Sequence, residues 1–277
     1  MPELPEVETI RCALQKYLIG QTIIKVLVRD ARLRWPVDEV KLNQLIVSEK
    51  IKSIDRRAKY LLVRMQRGST LILHLGMSGR LLHLTDSIPY EKHDHVILYF
   101  KNNAELRFRD PRRFGMVDAI APGEEENYPR LKNLGAEPLD SKINFKHFYE
   151  QAKHLNRPIK NLLMDANFIA GVGNIYANEA LFHAGIHPKT ASSALTLENW
   201  KSLIKSIRKV LQAAIAKGGT TISDFVNSDG ETGYFQLSLA VYGREGQKCL
   251  KCGMEIIRYV QVGRSTFYCP KCQGSMI

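Results

Sequence analysis

Cys249-Leu250-Lys251-Cys252 and Cys269-Pro270-Lys271-Cys272 bracket sixteen residues near the end of the chain, and this pairing decides how the tail folds. Two Cys-x-x-Cys turns set two thiolates each within reach of one ion, the spacing that tetrahedral zinc coordination uses. Four protein ligands leave no open position for water. One structural Zn2+ is therefore expected to hold the tail together and to perform no chemistry. So short a segment has little apolar core of its own, which makes the metal its main source of stability. Between the pairs, Ile256 to Val260 and Thr266 to Tyr268 read as two strands joined by Gln261-Val262-Gly263-Arg264-Ser265. Arg264 then stands at a hairpin tip, either as a solvated charge or as a cation that enters a groove or clamps a phosphate.

Working outward, Leu197, Trp200, Ile204, Ile207, Leu211 and Ala214 line one face of a helix of about 20 residues, closed by Gly218-Gly219. Residues 121 to 144 turn to Pro, Gly and acidic side chains, as in Pro122-Gly123-Glu124-Glu125-Glu126, and read as a linker. Before them come short β-rich runs: Thr22 to Val28, Tyr60 to Met65, Thr70 to His74, His95 to Phe100, Glu105 to Phe108 and Met116 to Ile120. Gly, Pro, Asp and Asn interrupt these runs at intervals suited to a sandwich or barrel. Val7, Ile10, Leu14 and Leu18 form a helical stripe that Gly20 stops. A mostly β domain thus precedes a mainly helical one with a short β tail. No internal repeat is present, which excludes solenoids.

A length of 277 residues suits two domains, and 44% hydrophobic with 25% charged residues is ordinary globular composition. Forty Lys and Arg against 28 Asp and Glu leave a net charge of +12, which points to a polyanionic partner, nucleic acid or an anionic membrane surface. No uncharged apolar run approaches the roughly 20 residues of a spanning helix, and Met1-Pro2-Glu3-Leu4-Pro5-Glu6 lacks a signal-peptide layout. A cytoplasmic protein is expected. Four of the five cysteines belong to the tail, and the fifth, Cys12, reads as a small buried hydrophobe.

Three further stretches carry chemistry. Ile169-Ala170-Gly171-Val172-Gly173-Asn174 precedes a helix with Ala177, Ala180, Leu181 and Ala184 on its inner face, so free N–H groups and a helix dipole meet there. The turn is either an anion cradle or a plain tight turn. Asp110-Pro111-Arg112-Arg113-Phe114-Gly115 is either a solvated turn with Phe114 in the core or a wedge, with Phe114 between stacked bases and an arginine in the space of an expelled nucleotide. Pro2 becomes a secondary amine at the chain end once Met1 is removed. An α-amino group titrates near ~8 against ~10.4 for lysine, so it is a nucleophile at neutral pH without burial. Glu3 beside it could relay protons, and Glu6 lies one turn on. Pro and Glu are also what any helix N-terminus prefers.

Pro2-Glu3-Leu4-Pro5-Glu6-Val7-Glu8-Thr9, the Asp110 to Gly115 loop, the Gly171 to Asn174 turn and the four cysteines occur here in the order found in one family. The chain resembles bacterial formamidopyrimidine-DNA glycosylases over nearly its whole length. The resemblance implies an α+β fold: an N-terminal catalytic β-sandwich with a flanking helix at 1–135, a linker at 136–150, a helix-two-turns-helix domain at 151–242, and a zinc-finger hairpin at 243–277. It implies a monomer of the bacterial cytoplasm and nucleoid that binds double-stranded DNA containing oxidised purines in a cleft between domains, with no membrane partner. The resemblance also implies removal of 8-oxoguanine and formamidopyrimidines followed by nicking of the strand.

By matched motif, Pro2 is the nucleophile on C1′, Glu3 the proton donor, and Lys59 in Arg56-Arg57-Ala58-Lys59-Tyr60-Leu61-Leu62 the lysine on the flanking phosphates. Met77, in His74-Leu75-Gly76-Met77-Ser78-Gly79-Arg80, fills the void with Arg112 and Phe114. His74, His93, Arg113, Lys160, Asn174, Tyr242 and Arg264 are further DNA contacts. Thr220, Ser223, Asp224 and Tyr234 belong to a loop closing over the flipped base. Two other readings stand beside this one: a related endonuclease VIII type acting on oxidised pyrimidines, and a non-catalytic damage-binding zinc-finger protein.

Overall fold

The computed structural model describes residues 2–86, 88–218, the backbone of 225–226, and 239–274. The chain divides into two compact units, Met1–Asn133 with Lys217–Gln236, and Leu134–Ala216 with Leu237–Ile277. The expected loop residues Thr220, Ser223, Asp224 and Tyr234 lie outside the described residues, as does Gly219.

In the first unit α1 (Leu4–Leu18) leads into β1 (Ile23–Val28), α2 (Glu39–Ile46), β2 (Ile51–Arg57), β3 (Tyr60–Met65), β4 (Thr70–His74), β5 (Arg80–Leu84), β6 (Asp94–Phe100), β7 (Glu105–Arg109) and β8 (Met116–Ile120). One sheet has the order β2-β3-β4-β8. The other runs β1-β6-β7-β5 and ends on β9 (Phe225–Val226), which pairs in parallel with Leu81 and Leu82 of β5. Alternate side chains of both sheets meet in one core: Leu61, Val63, Leu71, Leu73 and Val117 from one, Leu81, Val96, Leu98, Leu106 and Phe108 from the other. Val7, Ile10, Leu14 and Leu18 of α1 close that core along the predicted stripe.

Cys12 is exposed. It lies two positions, or roughly 200°, from both Ile10 and Leu14 on the helical wheel, so the period that buries them turns it to solvent. The outward face of β7 is also covered. Arg107 is fully buried and held by Glu105, Asp94 and the carbonyls of Ile88 and Pro89.

The second unit contains α3 (Phe145–Ala152), α4 (Ile159–Leu163), α5 (Asn174–Ala184), α6 (Leu197–Ala216) and a hairpin of β10 (Ile257–Gln261) and β11 (Arg264–Tyr268). α5 is central, with every residue from Tyr176 to Phe182 buried. Phe148, Phe168 and Trp200 pack ring on ring between α3 and α6. α6 buries the predicted face from Trp200 to Ala214, but Leu197, at its exposed first turn, is 36% accessible. No described helix is long and apolar enough to cross a membrane.

Candidate functional site

Pro2 and Glu3 stand at the start of α1, both buried. Glu3 is the N-cap of a reciprocal capping box: its backbone N–H donates to Glu6 Oε2 (2.8 Å), and its carboxylate accepts from the Glu6 backbone. The positive end of the helix dipole therefore faces the Pro2-Glu3 pair. One turn on, Glu8 accepts from Arg11 (2.6 Å) and Arg56 (2.9 Å). Burial pushes its carboxyl up, but the two guanidinium groups outweigh that and hold it below the usual range.

Arg56 also donates to the Ala58 carbonyl (2.9 Å), which ties α1 to the two-residue turn Ala58-Lys59 between β2 and β3. Lys59 is half-buried there. Its neighbour His74 is pushed down to about 4, first by burial and then by the charges of Lys59 and Arg34. His74 Nδ1 accepts from the Gly76 N–H (3.1 Å), so the neutral ring carries its proton on Nε2. The tilted Tyr60 ring lies 4.8 Å away. Sequence reasoning missed the group beside them: Arg34 and Arg130 both lie over the Trp35 ring, at 4.6 and 3.9 Å. Isolated arginines give no sign of such a stack, because Arg130 is far from Trp35 in the chain.

The expected wedge residues come together on two touching turns. A Cβ on Gly76 (φ +62°) would lie 2.4 Å from the Phe114 carbonyl, so only glycine lets the Met77 turn approach the Phe114 turn. Met77 and Phe114 are 39% and 41% exposed, and the Arg112 guanidinium lies 4.8 Å over the Phe114 ring. The alternative with Phe114 in the core is thereby removed. Fully buried Asp110 sets this geometry, accepting from Ser78 Oγ (2.5 Å), the Arg112 N–H (3.3 Å) and the Gly115 N–H (2.8 Å). Arg113 differs from Arg112. It takes φ +58° and braces the turn from below through Asp30 (2.5 Å) and the Arg32 carbonyl (3.0 Å). Half-buried His93 accepts the Asp110 N–H on its carbonyl.

In the second unit, Gly171 (φ +81°) turns the chain into α5, whose first residue is Asn174. The Asn174 amide donates to the Ser265 carbonyl (3.0 Å), one residue from the hairpin turn. Lys160 is 1% exposed and donates to the same carbonyl (3.0 Å) and to Thr266 Oγ1 (2.7 Å), which makes it an internal strut of the hairpin. The hairpin turn is tighter than expected: Val262 and Gly263 alone form it, both at positive φ, and Arg264 opens β11 opposite Gln261, exposed. Positive φ at both positions is the geometry that matches strand twist in a two-residue hairpin. Tyr242 packs on Phe267 (5.1 Å), and its N–H, with those of Ala240 and Val241, donates to the buried carboxylate of Glu179.

The four tail cysteines gather as their spacing requires. Their sulfurs lie within 4.8 Å of one another, with Cys249–Cys272 at 3.9 Å and Cys252–Cys269 at 3.4 Å. Zn–S bonds of about 2.3 Å in a tetrahedron put sulfurs about 3.8 Å apart, so the set fits one structural Zn2+. Backbone N–H groups of Lys251 and Cys272 donate to Cys249 and Cys269, which stabilises the thiolates.

Fold and site together define a two-unit zinc-finger protein with basic, aromatic-tipped loops. The chain matches the family models for the formamidopyrimidine-DNA glycosylase N-terminal domain over residues 1–117, its H2TH domain over 134–226, and the zinc finger found in FPG and IleRS over 246–274. It is 46% identical to formamidopyrimidine-DNA glycosylase of Acidithiobacillus ferrooxidans, over 99% of this chain and all of that one. The crystal structure of MutM (Fpg) from Thermus thermophilus superposes with a TM-score of 0.85 at 41% identity, covering 99% of both chains. Lactococcus lactis Fpg bound to Fapy-dG DNA gives 0.89 at 35% identity, over 99% of this chain and all of that one. The chain belongs to the formamidopyrimidine-DNA glycosylase family.

Proposed function

We propose that this chain is a bifunctional DNA glycosylase and abasic-site lyase that removes oxidised purines, 8-oxoguanine and formamidopyrimidines, from duplex DNA. The observation that carries the reading is the Glu8–Arg56–Ala58 bridge, which joins the helix start bearing Pro2 and Glu3 to the turn bearing Lys59. Family membership and the Lactococcus relative's complex with Fapy-dG DNA support the substrate class.

A stacked base shields its sugar carbon, so it must leave the helix at a cost of about a few kcal/mol. Met77, Arg112 and Phe114 fill the hole and offset that cost. The neutral Pro2 amine attacks C1′ while Glu3 protonates the sugar ring oxygen. The C1′–N bond breaks, the base departs, and an iminium remains on the opened sugar. That iminium acidifies the C2′ proton, whose loss expels the 3′ phosphate and leaves a conjugated iminium; this in turn acidifies the C4′ proton, whose loss in a second elimination expels the 5′ phosphate. Lys59 and Arg264 hold the flanking phosphates, and Arg264 assists the elimination. The enzyme acts as a monomer in the bacterial cytoplasm, associated with the nucleoid.

Borohydride should trap a covalent protein–DNA adduct on an 8-oxoguanine duplex, and Pro2→Gly should abolish it. An undiminished adduct in that variant, or a fully active protein that retains Met1, overturns the assignment. Faster excision of thymine glycol than of 8-oxoguanine would favour the endonuclease VIII type.

A further inference from the structure

The turn that carries Arg112 and Phe114 has a strained residue at its centre. Arg113 stands between them, and its φ of +58° is a conformation that a residue other than glycine seldom keeps unless something holds it. Its side chain supplies the hold. Nη2 donates to Asp30 Oδ2 (2.5 Å) and Nη1 to the Arg32 carbonyl (3.0 Å), which commits the guanidinium to the segment between β1 and α2. Asp30 Oδ1 is occupied by the Arg32 N–H (3.1 Å) and Nε (2.9 Å), and this orients the carboxylate with Oδ2 toward Arg113. The segment is itself anchored. The N–H groups of Arg29 (2.8 Å) and Asp30 (3.4 Å) donate to the His95 carbonyl of β6, and the buried His95 ring donates from Nε2 to the Asp110 carbonyl (2.9 Å). That carbonyl also accepts the Arg113 N–H (3.2 Å). The contacts therefore close a circuit from His95 through Asp30 and Arg113 to Asp110 and back.

We propose that Asp30 is a positioning residue for base eversion: through Arg113 it holds the turn in the left-handed region and keeps Arg112 and Phe114 projecting as a preformed wedge. The inference rests on the glycosylase reading above. Released from Asp30, residue 113 returns to negative φ, and the chain changes direction between the two wedge side chains. Arg113 thus supports the wedge from behind and leaves the duplex to Arg112 and Phe114. The step affected is a particular one. A stacked base must be expelled before excision, whereas an abasic sugar has no base to expel, so the wedge matters more to excision than to strand cleavage at an abasic site.

The test compares two single-turnover reactions of the full zinc-loaded chain, excision from an 8-oxoguanine duplex and cleavage of a preformed abasic duplex. Asp30→Ala should slow excision roughly tenfold, the cost of an unsupported left-handed residue, and change abasic cleavage by less than about twofold. A 2-aminopurine placed beside the lesion should brighten less on mixing with this variant. Adding Arg113→Gly to Asp30→Ala should restore excision by at least about threefold, because glycine takes positive φ without a brace. A residue that merely maintains the fold gives no such recovery. Unchanged excision in Asp30→Ala, an equal loss in both reactions, or no recovery with Arg113→Gly overturns the proposal. Absence of excision by the unaltered chain overturns the glycosylase reading, and this inference with it.

Discussion

Two regions expected to meet DNA are carried by different supports. The Met77 and Phe114 turns grow out of a β-sandwich whose core takes side chains from two sheets and two helices. The hairpin bearing Arg264 rests on four thiolates and a small buried cluster of Phe182, Val241, Ile256 and Phe267. Burial distributes stability over many side chains, so one loss is partial. A metal concentrates it in four atoms, so one loss is complete. Lys160, Asn174 and Asn178 then fasten the hairpin to α4 and α5, a mechanical link that the ion alone does not provide.

Replacing one metal ligand breaks the comparison most sharply. Cys269→Ser should release zinc, because structural sites of this kind contribute about 10 kcal/mol or more, and raise the Kd for abasic duplex at least about a hundredfold. Metal analysis and calorimetry check this; the melting transition of the first unit should stay in place. Leu14→Ala in the sandwich should cost about 2–5 kcal/mol by urea denaturation while zinc content remains at one per chain.

His74 supplies the pH arm. Its folded value, about 4, lies below the unfolded ~6.5, so the fold favours the neutral ring. That contribution is fully present above about pH 6.5 and is lost as pH falls toward 4, on the order of 2–3 kcal/mol. Urea midpoints at pH 7 and 4.5 should differ accordingly, and His74→Gln should flatten part of that difference. Lys160→Met should have the smallest effect, about 1–2 kcal/mol, because the Ser265 carbonyl keeps its bond from Asn174. Zinc should be retained, and the hairpin amides should exchange faster with deuterium.

The regions whose signal is local were legible in the sequence. α1, the strands with continuous apolar runs, α6 and the cysteine cluster could all be read from spacing. β2, Ile51–Arg57, escaped because its two apolar residues, Ile51 and Ile54, stand three apart across an irregularity between Ile51 and Ser53, and Asp55-Arg56-Arg57 after them are polar. β5 is a five-residue strand whose Leu81 to Leu84 are buried on both faces, so it shows no alternation. α2 was missed although Asp38 accepts from the Lys41 N–H as an N-cap, a signal that Val37-Asp38-Glu39 offered. In the site, motif named Pro2, Glu3, Lys59, Met77, Arg112 and Phe114 but not the side chains that hold them in place. Asp110, Arg56 and the Arg34–Trp35–Arg130 stack act through partners distant in sequence, and no single-chain pattern encodes such distances.

Val262 occupies the outermost point of the hairpin. Its φ of +47° is unfavourable for a β-branched residue, and its isopropyl group is 79% bare to solvent. Asparagine or glycine would relax the backbone there and remove the apolar surface. The isolated hairpin therefore carries two penalties at one position, and exchanging Val262 for asparagine should leave a stiffer, more soluble tip.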